Sequence, residues 1–180
     1  MSKEIFGMEV SELVFLGKGV EGRVFLTPNG DALKAYSKTG LCRREYKVLK
    51  KLEGNKYFPR ILKCKGRFML REHIKGIPIK EYIQQNGISK KLALNLIEFA
   101  EEFERLEIRL DGLGRHVFIQ ADESIKVVDP RRKRNCMYKS LLITLKREDV
   151  LEQFLKILEE ERPDLKIKWS KFIAQLAKYY

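Results

Sequence analysis

The sequence predicts an α+β fold in two parts, strand-rich over residues 1–75 and mostly helical over residues 76–180. Three observations predict it. Between residues 11 and 36, apolar and polar residues alternate with turn signals between the runs, the period-two pattern of half-buried strands. From Ser89 onward, apolar residues recur instead at spacings of three and four, the helical period. Gly76 falls between the two patterns and is the natural boundary. A chain of 180 residues suits one domain, or two small lobes with a core each.

Leu13–Leu16 reads as a first strand, Arg23–Leu26 as a second and Ala32–Tyr36 as a third. Thr27-Pro-Asn-Gly-Asp31 joins the last two, because Pro, Asn and Gly supply the dihedrals of a hairpin turn. Cys42–Leu52 carries Tyr46, Leu49 and Leu52 near one face and reads as a helix. Pro59–Leu62 and Arg67–Ile74 bring the strands of the first part to five. Ile77–Gln85 reads as a short helix. Ser89–Glu107 is the longest, with Ser89 placed to cap it and Leu92, Leu96, Phe99, Phe103 and Leu106 as its apolar stripe. A polar loop from Arg109 then carries Asp111. Val117–Ile119, a turn over Gln120–Ser124, and Ile125–Val128 form a hairpin that ends on Asp129. Such a hairpin would bring Asp111 and Asp129 near one another at its open end. Residues 138–146 and 148–161 read as helices, Arg162-Pro163-Asp164 as a break, and Ser170–Lys178 as a terminal helix.

Net charge is +12, from 37 basic and 25 acidic residues. That excess favours polyanionic partners such as nucleotide phosphates, RNA, DNA or an acidic protein, and equally serves solubility. No apolar run approaches the roughly 20 residues that span a bilayer. The opening Met-Ser-Lys-Glu-Ile-Phe-Gly lacks the apolar core of a signal peptide. Cys42, Cys64 and Cys136 are widely separated in sequence, odd in number and outside any CxxC pattern. They read as reduced intracellular thiols, not as a disulfide frame or a zinc site. The expectation is a cytoplasmic protein.

Between the first two strands lies Gly17-Lys-Gly-Val-Glu-Gly22-Arg-Val24, a complete GxGxxGxV. Its glycines permit close backbone approach and positive φ, so main-chain N–H groups can face phosphate oxygens. A dinucleotide fingerprint would continue into a helix, whereas a strand follows here, which excludes that reading. Lys34 alternates with apolar neighbours in the third strand, placed to reach phosphates or simply to face solvent. Glu45, early in the next helix, either turns in to pair with Lys34 or stays exposed near the helix N-terminus. Two acids at the mouth of a hairpin can act as base and metal ligand. Taken alone, loop carboxylates are ordinarily solvated.

In order, these residues resemble the protein-kinase superfamily over about residues 12–135. The resemblance rests on Gly17-x-Gly19-x-x-Gly22-x-Val24, Ala32-x-Lys34, Glu45, Glu72, and the step from Asp111 across a hairpin to Asp129. It implies a two-lobed kinase-like fold. The N-lobe (1–75) would hold a five-stranded antiparallel sheet with one helix, and the C-lobe (76–180) would be reduced and mostly helical. It also implies roles. Gly17, Lys18, Gly19 and Gly22 form a flap over the ATP phosphates, and Val24 packs on adenine. Lys34 binds the α and β phosphates while Glu45 holds it. Backbone near Glu72 and Ile74 meets the adenine edge, Asp111 takes the acceptor's proton, and Asp129 binds Mg²⁺.

The chain departs from the family pattern at several points. Arg-Leu-Asp111 stands where the family usually has His-Arg-Asp, and His116 stands where an Asn ligand is usual. Imidazole suits Mn²⁺ better than Mg²⁺, so the expected metal is Mg²⁺ or Mn²⁺ with Asp129 and His116 as ligands; His116 can also touch phosphate or hold the loop. Pro-Arg-Arg follows Asp129 and no Ala-Pro-Glu comes after; set against the family, this implies that the long activation segment and the peptide-binding helices are lacking. The pared-down lobe is similar to Rio-type kinases, the small kinase of the tRNA-modification complex, and lipopolysaccharide or aminoglycoside kinases. The expected activity is ATP-dependent phosphoryl transfer to a Ser or Thr hydroxyl, with autophosphorylation or ATP hydrolysis within range. A pseudokinase or nucleotide-binding regulatory module, and a small-molecule or carbohydrate kinase, are the alternatives. Arg131, Arg132, Lys133 and Arg134 would lie beside the active-site mouth. They read as a site for an acidic or nucleic-acid-associated protein, or as a solvated turn.

Overall fold

A computed structural model describes residues 4–110, 112–132 and 137–178, leaving the side chains of Arg109, Arg132, Ala177 and Lys178 outside the description. Seven α-helices and a five-stranded antiparallel sheet among the described residues make the class α+β. The chain divides into two compact units, Met1–Lys75 and Gly76–Tyr180.

The first unit opens with a small hairpin, β1 (Glu4–Ile5) and β2 (Met8–Glu9), and one 3₁₀ turn at Val10–Glu12, none of which the sequence pattern predicts. Then come β3 (Val14–Lys18), β4 (Gly22–Leu26), β5 (Ala32–Tyr36), α1 (Thr39–Lys51), β6 (Ile61–Lys65) and β7 (Phe68–Arg71). The sheet order is β3-β4-β5-β7-β6, antiparallel throughout. The central β5 buries residues on both faces, and α1 covers one of them with Cys42, Glu45, Val48 and Leu49.

Several boundaries differ from the sequence reading. β3 runs on through Gly17 and Lys18, with a register shift between Phe15 and Gly17 that lets the glycine segment continue the ladder. α1 starts three residues before Cys42, at Thr39. β6 begins at Ile61 instead of Pro59, since proline has no N–H to give a ladder. β7 stops at Arg71, so Glu72–Ile74 lie outside the strand.

The second unit contains β8 (Ile77–Pro78), α2 (Ile79–Asn86), α3 (Lys90–Arg105), β9 (Ile108–Arg109), α4 (Leu113–His116), β10 (Val117–Ile119) and β11 (Ile125–Val127). It ends with β12 (Arg131–Arg132), α5 (Met137–Arg147), α6 (Leu151–Glu161) and α7 (Pro163–Lys178). α3 is the core helix: Leu92, Ala93, Leu96, Ile97, Phe99, Ala100 and Phe103 are buried, against α5 and α6. Trp169 of α7 stacks on Tyr138 of α5 with centroids 5.1 Å apart and rings within 7° of parallel. Arg162 clamps Glu101 of α3 through two nitrogens, at 2.5 and 2.9 Å, which ties the α6–α7 corner to the core helix.

Here too the structure corrects the expectations. Ile77 and Pro78 are a strand paired with Ile119 and Phe118, and the helix starts only at Ile79. Gly76 is held by close approach: a Cβ there would lie 2.6 Å from the Ile119 carbonyl oxygen. A one-turn helix, α4, replaces part of the expected loop because Leu113 is buried. β11 ends at Val127, one residue early. α7 begins at Pro163, well before the expected Ser170, since proline suits a first helical turn and the break falls before it.

Candidate functional site

In the first unit the glycine-rich segment is the tip of the β3–β4 hairpin. Gly17 pairs with Val24 and Lys18 with Arg23, while the Gly19 N–H donates to the Gly22 carbonyl at 2.9 Å. That bond commits one of the amides expected to face phosphates. Gly22 is fixed by packing, since a Cβ there would come within 2.2 Å of the Ala35 carbonyl oxygen. Around Gly17 and Gly19 a Cβ would meet nothing within 4 Å, and neither has a positive φ. Among the described residues, nothing requires glycine at those two positions. Val20, at the tip, is fully exposed. Glu21 accepts a hydrogen bond from Arg44 of α1 at 2.6 Å, and its carbonyl accepts from the Ser37 N–H at 2.8 Å. The tip is thereby tied to the start of α1.

Beneath the hairpin, Lys34 sits in β5 between Val24 and Met69 on the neighbouring strands. Strands cover it on both sides and α1 covers its face, so it is 4% exposed. Its ammonium donates to Glu45 Oε2 at 2.7 Å and lies 4.7 Å from the centre of the Tyr36 ring. Glu45 is equally buried, at 6%. Of the two positions the sequence leaves open for Glu45, the inward one is occupied. A buried ammonium of this kind persists because its partner and the ring face offset the lost hydration. In the sequence Tyr36 reads only as the end of the third strand, although its place two residues after Lys34 puts it on the same face.

Glu72 and Ile74 fall just past β7. The Glu72 N–H donates to the Arg60 carbonyl at 2.9 Å, and its carboxylate accepts from the Arg60 N–H at 3.2 Å. Between them, half-buried His73 has its imidazole held below the usual range, first by burial and then by the charges of Arg71 and Lys75.

In the second unit the hairpin is present: Val117 pairs with Val127 and Ile119 with Ile125. Its turn is anchored by Glu123, at φ +63°, which accepts from the hydroxyls of Tyr82 and Ser89 at 3.2 and 2.7 Å. The Glu123 carbonyl takes a further bond from Asn95 at 2.8 Å. At the open end, the Val128 N–H donates to the His116 carbonyl at 2.9 Å. His116 Nδ1 lies 3.9 Å from Asp129 Oδ2. Asp129 itself is in the left-handed region, φ +56°, which aspartate tolerates better than most residues. β9 and β12 then pair Arg109 with Arg131, closing the loop between them. Asp111 lies outside the described residues, as do Lys133 and Arg134. Arg131 is exposed.

Among the described residues, no group of three or more His, Cys, Asp or Glu side chains converges as a metal-ligand set. Asp129 is a hard oxygen donor suited to Mg²⁺ or Mn²⁺. The His116 imidazole lies beside that carboxylate, 3.9 Å away and beyond hydrogen-bond reach, and is a softer donor better suited to Mn²⁺ than to Mg²⁺. The cysteines are a further finding. Cys42 and Cys64, distant in sequence, are free thiols with their sulfurs 3.6 Å apart, a contact that their spacing does not announce; Cys136 lies outside the described residues. No family model matches the chain, and no curated protein does.

Proposed function

We propose that the chain is an ATP-dependent phosphotransferase with a kinase-like architecture, acting on Ser or Thr hydroxyls as a minimal protein kinase. The observation that carries this reading is the buried Lys34–Glu45 pair, 2.7 Å apart, on the strand beneath the glycine-rich hairpin. Lysine is rarely buried unless paired, and Glu45 supplies that pairing on the strand beneath the glycine-rich hairpin. Here one carboxylate and one aromatic face hold it in a single orientation, as charge neutralisation on the α and β phosphates requires. Gly17 and Gly19 support the reading, since the described residues leave their Cβ positions open.

In this proposal Gly17, Lys18, Gly19 and Gly22 cover the phosphates, Val24 contacts adenine, and the backbone near Glu72 and Ile74 meets its edge. Asp129 holds Mg²⁺ or Mn²⁺, which neutralises charge on the phosphates when bound. His116, beside Asp129, is the second metal ligand, better suited to Mn²⁺ than to Mg²⁺. Asp111 accepts the acceptor's proton, a role resting on the resemblance alone. The acceptor is an acidic or nucleic-acid-associated protein, in keeping with the charge of +12.

The test is incubation with γ-labelled ATP and each metal, read as labelled protein and free phosphate. Turnover should fall at least a hundredfold in Lys34→Ala and in Asp129→Asn, the latter keeping a residue that tolerates positive φ. Full turnover in both would overturn the proposal. His116 in place of the usual Asn, and Arg-Leu in place of His-Arg before Asp111, favour one second reading, a nucleotide-binding regulatory module. It predicts that ATP raises the melting temperature without phosphate release, and that His116→Asn creates turnover.

A further inference from the structure

Cys42 and Cys64 sit on different elements that pack together, α1 and edge strand β6. Cys42 is completely buried and Cys64 is exposed. Their sulfurs, at 3.6 Å, must approach by about 1.5 Å to reach the ~2.05 Å of a disulfide. Rotation of the exposed Cys64 side chain, at the sheet edge, can supply much of that distance. One sulfur open to reagents and a second shielded beside it are the two parts of an oxidation site in which the first is attacked and the second resolves it.

We propose that Cys64 and Cys42 form a peroxide-modification site, closed by an intramolecular disulfide that fastens α1 to β6. The Cys64 thiolate attacks one oxygen of hydrogen peroxide, the O–O bond breaks, and Cys64 becomes a sulfenic acid while hydroxide leaves and is protonated to water. The Cys42 sulfur then attacks the Cys64 sulfur. The S–S bond forms, the S–O bond breaks, and the departing hydroxide takes up the proton that Cys42 releases. Two thiols lose two electrons in all, and one peroxide becomes two waters.

The order of attack follows from the surroundings of Cys42. Its thiol is pushed up to about 12, first by burial, then by the hydrogen bond and charge of Cys64 and the charge of Glu45, against the opposing pull of Lys34. It therefore stays protonated at neutral pH and serves as the resolving thiol, leaving Cys64 as the accessible first nucleophile. Glu45 is one turn along the same helix, so the cross-link fastens α1 close to the carboxylate that meets Lys34. This site stands whether or not a nucleotide binds.

The test treats the full chain with hydrogen peroxide, then blocks free thiols, digests and maps peptides by mass. The expected product is a linked Cys42–Cys64 peptide pair lighter by two hydrogens, restored by dithiothreitol. The cross-link closes a loop of intermediate length, so the melting temperature should rise by roughly 5–10 °C. Cys64→Ser, a change at an exposed position, should abolish both the link and the shift. Four outcomes would overturn the proposal. They are sulfinic or sulfonic acid at Cys64 with Cys42 still a thiol, a link from Cys64 to Cys136, a dimer joined through Cys64, or a Cys42–Cys64 link that lowers the melting temperature.

Discussion

Lys34 illustrates how one position concentrates physical consequence. In water its ammonium is freely solvated; in β5 it is almost wholly covered and donates to Glu45 at 2.7 Å. The alternation around Ala32-Leu-Lys34 marks it as a strand residue but leaves its direction open, because a strand presents a face to solvent as readily as to a helix. His73 belongs to the same scale. Burial, Arg71 and Lys75 hold its imidazole below the ordinary 6.5 in the folded protein. The unfolded chain therefore binds the proton first as pH falls. The stability this group contributes is complete above about 6.5 and is lost as pH drops toward the lower folded value. Melting temperature measured between pH 7.5 and 5 should decline, and His73→Gln should flatten that decline. An identical pH profile in the variant would remove His73 as its source. Nothing in the His73 sequence neighbourhood beyond Arg71 and Lys75 signals this, since burial is set by the fold.

At the scale of elements, local signals were legible where one residue sufficed to define them. Ser89 is the clearest case: its hydroxyl accepts from the Leu92 N–H at 2.9 Å, the cap that its place before the apolar stripe implies. The same hydroxyl donates to Glu123 across 34 residues, which no local pattern contains. Ser89→Ala should therefore cost about 1 kcal/mol for the cap, plus part of the bond to Glu123, read as a lowered denaturation midpoint. A Ser89→Ala midpoint equal to that of the parent protein would show that neither bond contributes. The hairpin from Val117 to Val127 was legible from alternation and its polar turn. The pairings β8–β10 and β9–β12 were not, because two-residue strands carry too little periodicity to distinguish from coil. α7 shows the opposite error. Pro163 read as a breaker, yet its missing N–H is harmless in a first turn, so the helix starts on it.

For the whole molecule, charge and core are distributed unevenly. Residues 1–75 hold 17 basic and 8 acidic residues, so nine of the twelve net positive charges belong to the first unit and not to the Arg131–Arg134 run. Each unit also has its own buried centre, Leu33, Tyr36, Cys42 and Met69 in one, Leu96, Phe99, Leu141 and Phe154 in the other. The single tryptophan, Trp169, is buried in the second. Its emission thus reports that unit, whereas circular dichroism reports both. Glu45→Ala strands the Lys34 ammonium and should cost about 3–5 kcal/mol in the first unit. The circular-dichroism transition should split or fall while the Trp169 transition stays within a degree or two. Equal shifts in both would mean that the chain unfolds as one body. What the sequence by itself determined is the content of local interactions: the period of each long element, the Ser89 cap, the turn at Thr27–Asp31, and the glycine-rich segment between two strands. These depend on neighbours a few residues away, and the chain lists them directly. Tertiary structure alone decided that Glu45 turns inward to Lys34, that His116 faces Asp129, and that Cys42 meets Cys64. Those contacts join elements through packing, and their geometry exists only once each apolar face has found its partner.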